Sequence, residues 1–373
     1  MGNCNDHKVK EIRKIIAAYD ATDHAHEQVA LASVVHVEES SYRRVGARML
    51  VRSNGKWVGG ISGGCLEGDA LRCSQKAIFQ QQPARVVYDT LNEEDNQIGV
   101  GLGCNGRIEV LFTPIDPADP NNEIEQLRRI VPAREAVFLL KLIDTSGDQT
   151  ALGTTHFVTP QQAVENFADL PGVLVQTQVK LAQARRRNLV FSASTPQGVR
   201  QRVLVEFLRP ETQLVLAGDN YDIHAFAGIA RELGWELSIV CRRRKLSKEV
   251  YQLATAVYEY EQADQVPVND YTAVVLMTHD YKWDKQLLPV FRAKQPAYLG
   301  MLGPRKRWQK MQAELPESDR ADDPNFFSPV GLDIGAESPE EIALAIAAEI
   351  TMHLRQQTGV SLREKDSPIH ARE

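Results

Sequence analysis

The stretch Leu214-Val215-Leu216-Ala217-Gly218-Asp219-Asn220-Tyr221-Asp222 decides how the second half of this chain folds. Four apolar residues, a glycine turn and a following segment of helical periodicity read as strand, tight turn and helix. That order is the opening of a dinucleotide-binding fold, whose phosphate loop joins the first strand to the first helix. The Gly-x-Gly-x-x-Gly pattern is absent, however. Gly218 stands alone, and Asp219 and Asp222 carry negative charge to the place a pyrophosphate would take. After the second strand, where such folds hold an acid for the ribose hydroxyls, this chain has Cys241-Arg242-Arg243-Arg244-Lys245. Those arginines either receive an additional phosphate or form a solvated basic edge.

Working outward, strands are expected over 213–216, 236–241, 273–278 and 297–301. Helices are expected over 224–233, 246–255, 285–293 and 305–315, with a long closing helix over 339–355. The alternation predicts a parallel sheet covered on both faces. Pro210-Glu211-Thr212 marks the expected boundary, giving domains over 1–209 and 210–355 and a polar tail over 356–373. The first domain reads as mixed α+β. Val9, Ile12, Ile15 and Ile16 make a helical stripe with Asp6 as N-cap, and 29–37 is a β-branched run typical of a buried strand. Strands around Arg48–Val51 and Trp57-Val58 are joined through Asn54-Gly55, a hairpin signal. A helix over 66–82 follows. Further strands are expected at 85–88, 107–112, 136–143, 188–192 and 202–207, and a helical stretch near 161–167.

Two cysteines in glycine-rich surroundings stand out in this first domain: Cys65 in Gly59-Gly60-Ile61-Ser62-Gly63-Gly64-Cys65-Leu66-Glu67, and Cys104 in Gly99-Val100-Gly101-Leu102-Gly103-Cys104-Asn105-Gly106. Glycine lets backbone approach a bulky or anionic ligand closely. Cys65 precedes a helix, where open N–H groups favour a thiolate, and Gly63 and Gly64 free N–H groups for an anion. The plainer alternative is a tight turn with Cys65 as filler. Glu67 either belongs to the site or answers the helix dipole. Cys73, on the inner face with Leu66, Ala70 and Ala77, reads as core. In Ser40-Ser41-Tyr42-Arg43-Arg44-Val45-Gly46-Ala47, two adjacent guanidinium groups suit a phosphate or make a solvated turn. Thr278-His279-Asp280 follows a strand end, the usual ligand side of such sheets, though a helix cap explains Asp280 equally well. Arg305, Lys306 and Arg307 place positive charge at a helix start, against the dipole, which an anionic ligand would rationalise and salt bridges would too.

Composition narrows the class. The 373 residues are 43% hydrophobic and 25% charged with a net charge of −6, which speaks against a general nucleic-acid grip. No apolar run approaches the ~20 residues needed to span a bilayer. The five cysteines, Cys4, Cys65, Cys73, Cys104 and Cys241, include no CxxC pair, so neither a disulfide framework nor a structural zinc site is expected, and a reducing cytoplasm is.

Taken together, the chain resembles the XdhC/CoxI family, accessory proteins of xanthine dehydrogenase and related molybdenum hydroxylases. The resemblance runs through Glu38–Met49, Ser62-Gly63-Gly64-Cys65-Leu66-Glu67, Gly101-Leu102-Gly103-Cys104-Asn105-Gly106, Thr278-His279-Asp280, Tyr298-Leu299-Gly300-Met301-Leu302-Gly303-Pro304-Arg305 and Gly331-Leu332-Asp333-Ile334-Gly335-Ala336, and ends in Ser338-Pro339-Glu340-Glu341-Ile342-Ala343. It implies a carrier that binds molybdenum cofactor (molybdopterin, with or without an attached nucleotide), shelters it during sulfuration and inserts it into a molybdenum hydroxylase such as xanthine dehydrogenase. A cysteine desulfurase as partner and a homodimer are implied too. On that reading Cys65 and Cys104 contact molybdenum or sulfur. Gly63, Gly64, Glu67 and Gly103 shape the surroundings, Arg43 and Arg44 hold phosphate, and Gly218, His279 and Arg305 line the Rossmann-like side. The lone Gly218 and the cysteine at 241 depart from the family's pattern where a nucleotide would bind. An NAD(P)-dependent oxidoreductase using Arg242–Arg244, or a structural subunit of the dehydrogenase, is the alternative.

Overall fold

The computed structural model describes residues 8–39, 43–89, 106–316 and 323–364. Two compact units emerge: Lys8–Pro210, and the described chain from Glu211 onward.

In the first unit, α1 (Lys8–Asp20) buries the stripe Val9, Ile12, Ile15 and Ile16. β1 (Val29–Glu39), β2 (Arg48–Arg52) and β3 (Trp57–Gly59) follow, then α2 (Glu67–Gln80), β4 (Ala84–Asp89) and β5 (Gly106–Ile115). They form an antiparallel sheet of order β3-β2-β1-β5-β4. β1 lies at its centre, which explains a run from Val29 to Val35 with almost no exposed surface. α2 covers the sheet, packing Ala70 and Ala77 with Val34, Met49, Val110 and Phe112. Next come α3 (Glu123–Arg128), β6 (Val137–Thr145), β7 (Thr155–Val158), the two-residue strands β8 (Asn166–Phe167) and β9 (Leu170–Pro171), α4 (Gly172–Arg185), β10 (Leu189–Ser194) and β11 (Arg200–Leu208). A second antiparallel sheet runs β10-β11-β6-β7, and α4 packs on it through Val175, Val179 and Ala182. Val35, Leu111, Ile143 and Leu204 join the two sheets in one core layer.

The helix expected near 161–167 is not there. Val164 and Phe167 are buried, which mimics an i, i+3 pair, but Ala168 and Asp169 both take left-handed φ (51° and 60°) and turn the chain into the β8–β9 hairpin. Positive φ at both central residues is the signature of a type I′ turn. The helix begins only after Pro171, at Gly172.

The second unit contains β12 (Gln213–Ala217), α5 (Asp222–Leu233), β13 (Glu236–Val240), α6 (Lys248–Leu253), β14 (Ala256–Tyr258), β15 (Thr272–Leu276), α7 (Tyr281–Ala293), β16 (Tyr298–Met301), α8 (Arg305–Glu314), β17 (Phe326–Phe327) and α9 (Pro339–Leu354). All six strands are parallel, in the order β14-β13-β12-β15-β16-β17. α5 and α9 bury Phe226, Ala230, Ile346 and Ile350 on one face. α7 and α8 bury Leu287, Phe291 and Met311 on the other. The fold is therefore the expected mixed α+β region followed by a Rossmann-like parallel sheet. Strand order reverses between β12 and β15, and in such sheets ligands bind in the crevice outside that reversal. No helix among the described residues is long and apolar enough to cross a membrane.

Candidate functional sites in the two units

The loop between β3 and α2 is built from both ends. Gly59 has φ +87°, and a Cβ there would stand 2.3 Å from the Arg48 carbonyl oxygen, so only glycine fits. Ile61 and Leu66 are buried and anchor the loop, while Gly63, Gly64 and Cys65 between them are exposed. Glu67 reaches back to close it. Its Oε1 accepts from the backbone N–H groups of Ile61 (3.2 Å) and Ser62 (2.8 Å), and its Oε2 accepts from the Ser62 hydroxyl (2.5 Å). Ser62 Oγ in turn accepts from Leu66 N–H at 3.0 Å and Gly64 N–H at 3.3 Å. Partial burial pushes the Glu67 carboxyl up, but the hydrogen bonds from Ser62 and the loop outweigh it and hold the group below the usual glutamate value. Glu67 thus stiffens the loop, and Gly64 has already spent its N–H inside it. Gly64 has φ +114° and no atom within 4 Å of where a Cβ would be. The tip is an open, rigid mount for one exposed thiol.

Cys73 is half-buried. Its Sγ donates to Asp69 Oδ2 (3.4 Å), which also accepts from Tyr88 Oη (2.7 Å), and burial followed by the Asp69 charge pushes the thiol up. It is a packing residue. Arg43 is engaged by Glu11 of α1. Arg44, half-buried, has no carboxylate partner among the described residues. Cys104 and Gly103 lie outside the described residues.

Sequence reasoning missed a buried ionic network in the same unit. Arg48, 2% exposed, donates to Glu206 Oε2 (2.5 Å), Glu123 Oε1 (3.2 Å) and the Gly46 carbonyl (2.8 Å). Lys141 donates to Glu123 Oε1 (2.5 Å) and Ser33 Oγ (3.0 Å). Lys8 bridges Glu206 (2.9 Å) and the Val45 carbonyl (2.8 Å). Burial pushes Glu206 up, yet Arg48 and then Lys8 overcome it and hold the carboxyl far below its ordinary value. Burial lowers Lys141. Gly46 (φ +89°) admits the network, since a Cβ there would meet Glu206 Oε1 at 2.0 Å. Two carbonyls of the segment that follows Arg43 and Arg44 are thus tied to buried cations. The available signal was a charge beside or inside an apolar run: Lys141 and Glu206 each interrupt one, and Arg48 opens another.

In the second unit, Gly218 and His279 come to the carboxyl edge of the parallel sheet. A Cβ on Gly218 would stand 2.6 Å from the Met277 carbonyl oxygen, so this glycine serves the close approach of β12 and β15. The Asp219 carboxylate, fully buried, accepts from Arg242 Nε (2.6 Å) and Nη2 (2.9 Å). Burial pushes it up, and Arg242 brings it below the usual aspartate value. Across the strand reversal, Asp222 Oδ2 and His279 Nε2 are 2.5 Å apart, with the imidazole half-exposed. His279 sits at φ +57°, strained for a non-glycine residue. Such strain collects at functional sites. Asp222 Oδ1 is buried with no hydrogen-bond partner among the described residues. Thr278 Oγ1 donates to Asp284 Oδ1 (2.6 Å), and Asp284 also holds Arg307. Arg305, at the start of α8, is exposed and has no carboxylate partner among the described residues. Cys241 is buried and its thiol is pushed up to about 12, by burial and then by Asp219.

Among the described residues no group of three or more His, Cys, Asp or Glu side chains could hold a metal ion. Cys65, Gly63, Gly64 and Glu67 therefore share one loop, while Gly218, His279 and Arg305 follow strands of one sheet.

The model of the XdhC and CoxI family matches residues 23–89, across the Cys65 loop, and that of the XdhC Rossmann domain matches 214–350. A protein of Bacillus subtilis (strain 168) described as a probable xanthine dehydrogenase subunit is 29% identical over 337 residues, covering 89% of this chain and 94% of that protein. The molybdenum cofactor insertion chaperone PaoD of Escherichia coli (strain K12) is 22% identical over 332 residues, 88% and 84% of the respective chains. A crystal structure described as a xanthine dehydrogenase from Bacillus halodurans superposes with a TM-score of 0.72 at 26% identity, covering 97% of this chain and 98% of the other. The chain thus carries the XdhC and CoxI family domain and, after it, the XdhC Rossmann domain, and is similar to these relatives over nearly their full length.

Proposed function

We infer that this chain is an accessory protein of a xanthine dehydrogenase-type molybdenum enzyme, one that holds molybdenum cofactor during sulfuration and hands it to the apoenzyme. The family domain and the relative named as a molybdenum cofactor insertion chaperone support an accessory role. The observation that carries the finer reading is the exposed Cys65 thiol on a loop locked by Glu67 and Ser62.

The cargo is an anionic pterin whose dithiolene already supplies sulfur to the metal, so a carrier needs few ligands of its own. One soft thiolate at an open tip suits the metal or its sulfur, and Arg44 suits the phosphate. Cys104 and Gly103 belong to the same proposal through the family pattern alone. Sulfur would come from a cysteine desulfurase, and the carrier would act as a homodimer. His279, paired with Asp222, would offer a hydrogen-bonding group at the strand edge of the Rossmann unit. The NAD(P) reading has weaker support, because Arg242, needed for an additional phosphate, is held by a buried carboxylate.

Incubation of the full chain with molybdenum cofactor, and separately with NADPH, followed by gel filtration separates the readings. A carrier co-elutes with stoichiometric cofactor and neither retains nor oxidises NADPH. Saturable NADPH binding with turnover would make it an oxidoreductase, and retention of neither would leave a purely structural role.

A further inference from the structure

The strained turn that carries His279 is held on both sides by groups that make no bond to the imidazole. Ahead of it, the Thr278 carbonyl accepts from Asn220 Nδ2 (2.9 Å), which ties the turn to the loop between β12 and α5. The Thr278 hydroxyl, on a residue 2% exposed, donates to Asp284 Oδ1 (2.6 Å) and accepts from Asp280 N–H (3.0 Å). Behind it, the Asp280 carbonyl accepts from Asp284 N–H (3.0 Å), and the Asp280 carboxylate caps α7 through Lys282 N–H (2.9 Å). Asp284 is itself fully buried and clamped by Arg307 of α8. Gly303 (φ +134°) admits that arginine, since a Cβ there would stand 2.9 Å from Arg307 Cδ. Left-handed φ at a non-glycine residue persists only where the surroundings impose it, and Asp284 is where these bonds converge.

The result is an imidazole with two unlike ends. An ionised carboxylate only accepts, so in the neutral ring Nε2 carries the proton given to Asp222 Oδ2 (2.5 Å). The other oxygen of Asp222 is buried and has no partner among the described residues, so His279 is the donor this carboxylate relies on. Nδ1, on a half-exposed ring, has no partner among the described residues. We propose that Asp284 and Thr278 are positioning residues that hold His279 with Nε2–H toward Asp222 and Nδ1 offered to an N–H or O–H donor of a ligand. On the carrier reading, on which the ligand's identity rests, His279 meets the amino and ring N–H groups of the pterin and not its phosphate.

Nuclear magnetic resonance of the full chain labelled with nitrogen-15 histidine tests this. Spectra are taken at about pH 8.5, well above the ordinary imidazole value of about 6.5, and the His279 signals are those missing from His279→Gln. The unaltered chain should show one tautomer, protonated at Nε2. Thr278→Val keeps the shape and removes the hydroxyl; it should mix the tautomers and broaden away the Nε2–H signal, with an unchanged circular dichroism spectrum. Asp284→Asn should do the same, and should it not fold, Thr278→Val decides. A merely structural Asp284 would leave the tautomer alone, so unchanged His279 signals in folded Thr278→Val overturn the positioning role. Pterin added to the unaltered chain should shift Nδ1, whereas sulfate, with no proton to give, should not. A shift with sulfate, or none with pterin, overturns the acceptor assignment. The variant spectra involve no cofactor, so they decide the positioning role whatever becomes of the carrier reading.

Discussion

The Cys65 loop and the strand edge of the Rossmann unit are both polar places in family-defining positions, but they dispose of their polar groups in opposite ways. At the strand edge the acidic side chains are paired with neighbours: Asp219 holds Arg242, Asp222 holds the His279 imidazole, and Asp284 holds Arg307. At the loop the internal bonds are spent on backbone, by Glu67 and Ser62, and the thiol at the tip is left outward. A region rich in ionisable side chains is thus not the one with the most to offer a ligand. Availability depends on what remains after the protein has satisfied itself.

The contrast breaks most visibly at Arg48, the centre of the buried network of the first unit. Arg48→Met leaves Glu206 with Lys8 alone and Glu123 with Lys141 alone, and should cost about 3–5 kcal/mol in urea unfolding, the usual penalty for removing one partner of a buried ion pair. Glu206 also sets a pH dependence. Its folded value is depressed, so its stabilisation is complete above the ordinary unfolded glutamate value of about 4.3 and is lost as pH falls toward the folded one. Unfolding followed from pH 6 to pH 3 should show stability declining on the acid side, less steeply in the variant.

Asp219→Asn sharpens the comparison from the other side. Losing the carboxylate end of a charge-assisted pair should cost about 1.5–3 kcal/mol, and it frees Arg242. Phosphate affinity at the strand edge should then rise by about fivefold or more, as for one exposed guanidinium contact. Titration with inorganic phosphate checks this, and an unchanged affinity would mean that the ion pair is not what closes the edge. Glu67→Gln should have a smaller effect. It keeps an acceptor for the loop N–H groups and loses the charge, so about 0.5–1.5 kcal/mol is expected. Alkylation of Cys65 by iodoacetamide should change in rate as the tip loosens.

The fold was readable where local pattern and global need agree. The run Leu214–Ala217 ahead of Gly218 looks like a strand and is one, because a parallel sheet buried on both faces demands uninterrupted apolar residues. Around 161–185 the two conflict. Val164 and Phe167 sit at helical spacing, but Phe167 pairs with Leu170 across a hairpin, and the true helix opens on Gly172-Val173, weak helix formers. Of the candidate sites, the Cys65 loop was recognisable from its glycines, whereas its closure by Glu67 was not separable from a dipole effect. The pairing of Asp219 with Arg242 was hidden, since it depends on β12 and β13 lying side by side. The network of Arg48, Glu123, Lys141 and Glu206 joins four distant segments and has no local signature beyond a misplaced charge.

Cys65→Ser is the gentlest substitution and the most telling. An exposed thiol contributes little to folding, so unfolding should move by less than about 0.5 kcal/mol. Molybdenum cofactor retention by this variant, measured beside the unaltered chain by gel filtration and metal analysis, is the decisive quantity. If the tip thiol is the contact, retention falls by about tenfold or more, the worth of one lost ligand bond. Full retention by a correctly folded Cys65→Ser chain would contradict it.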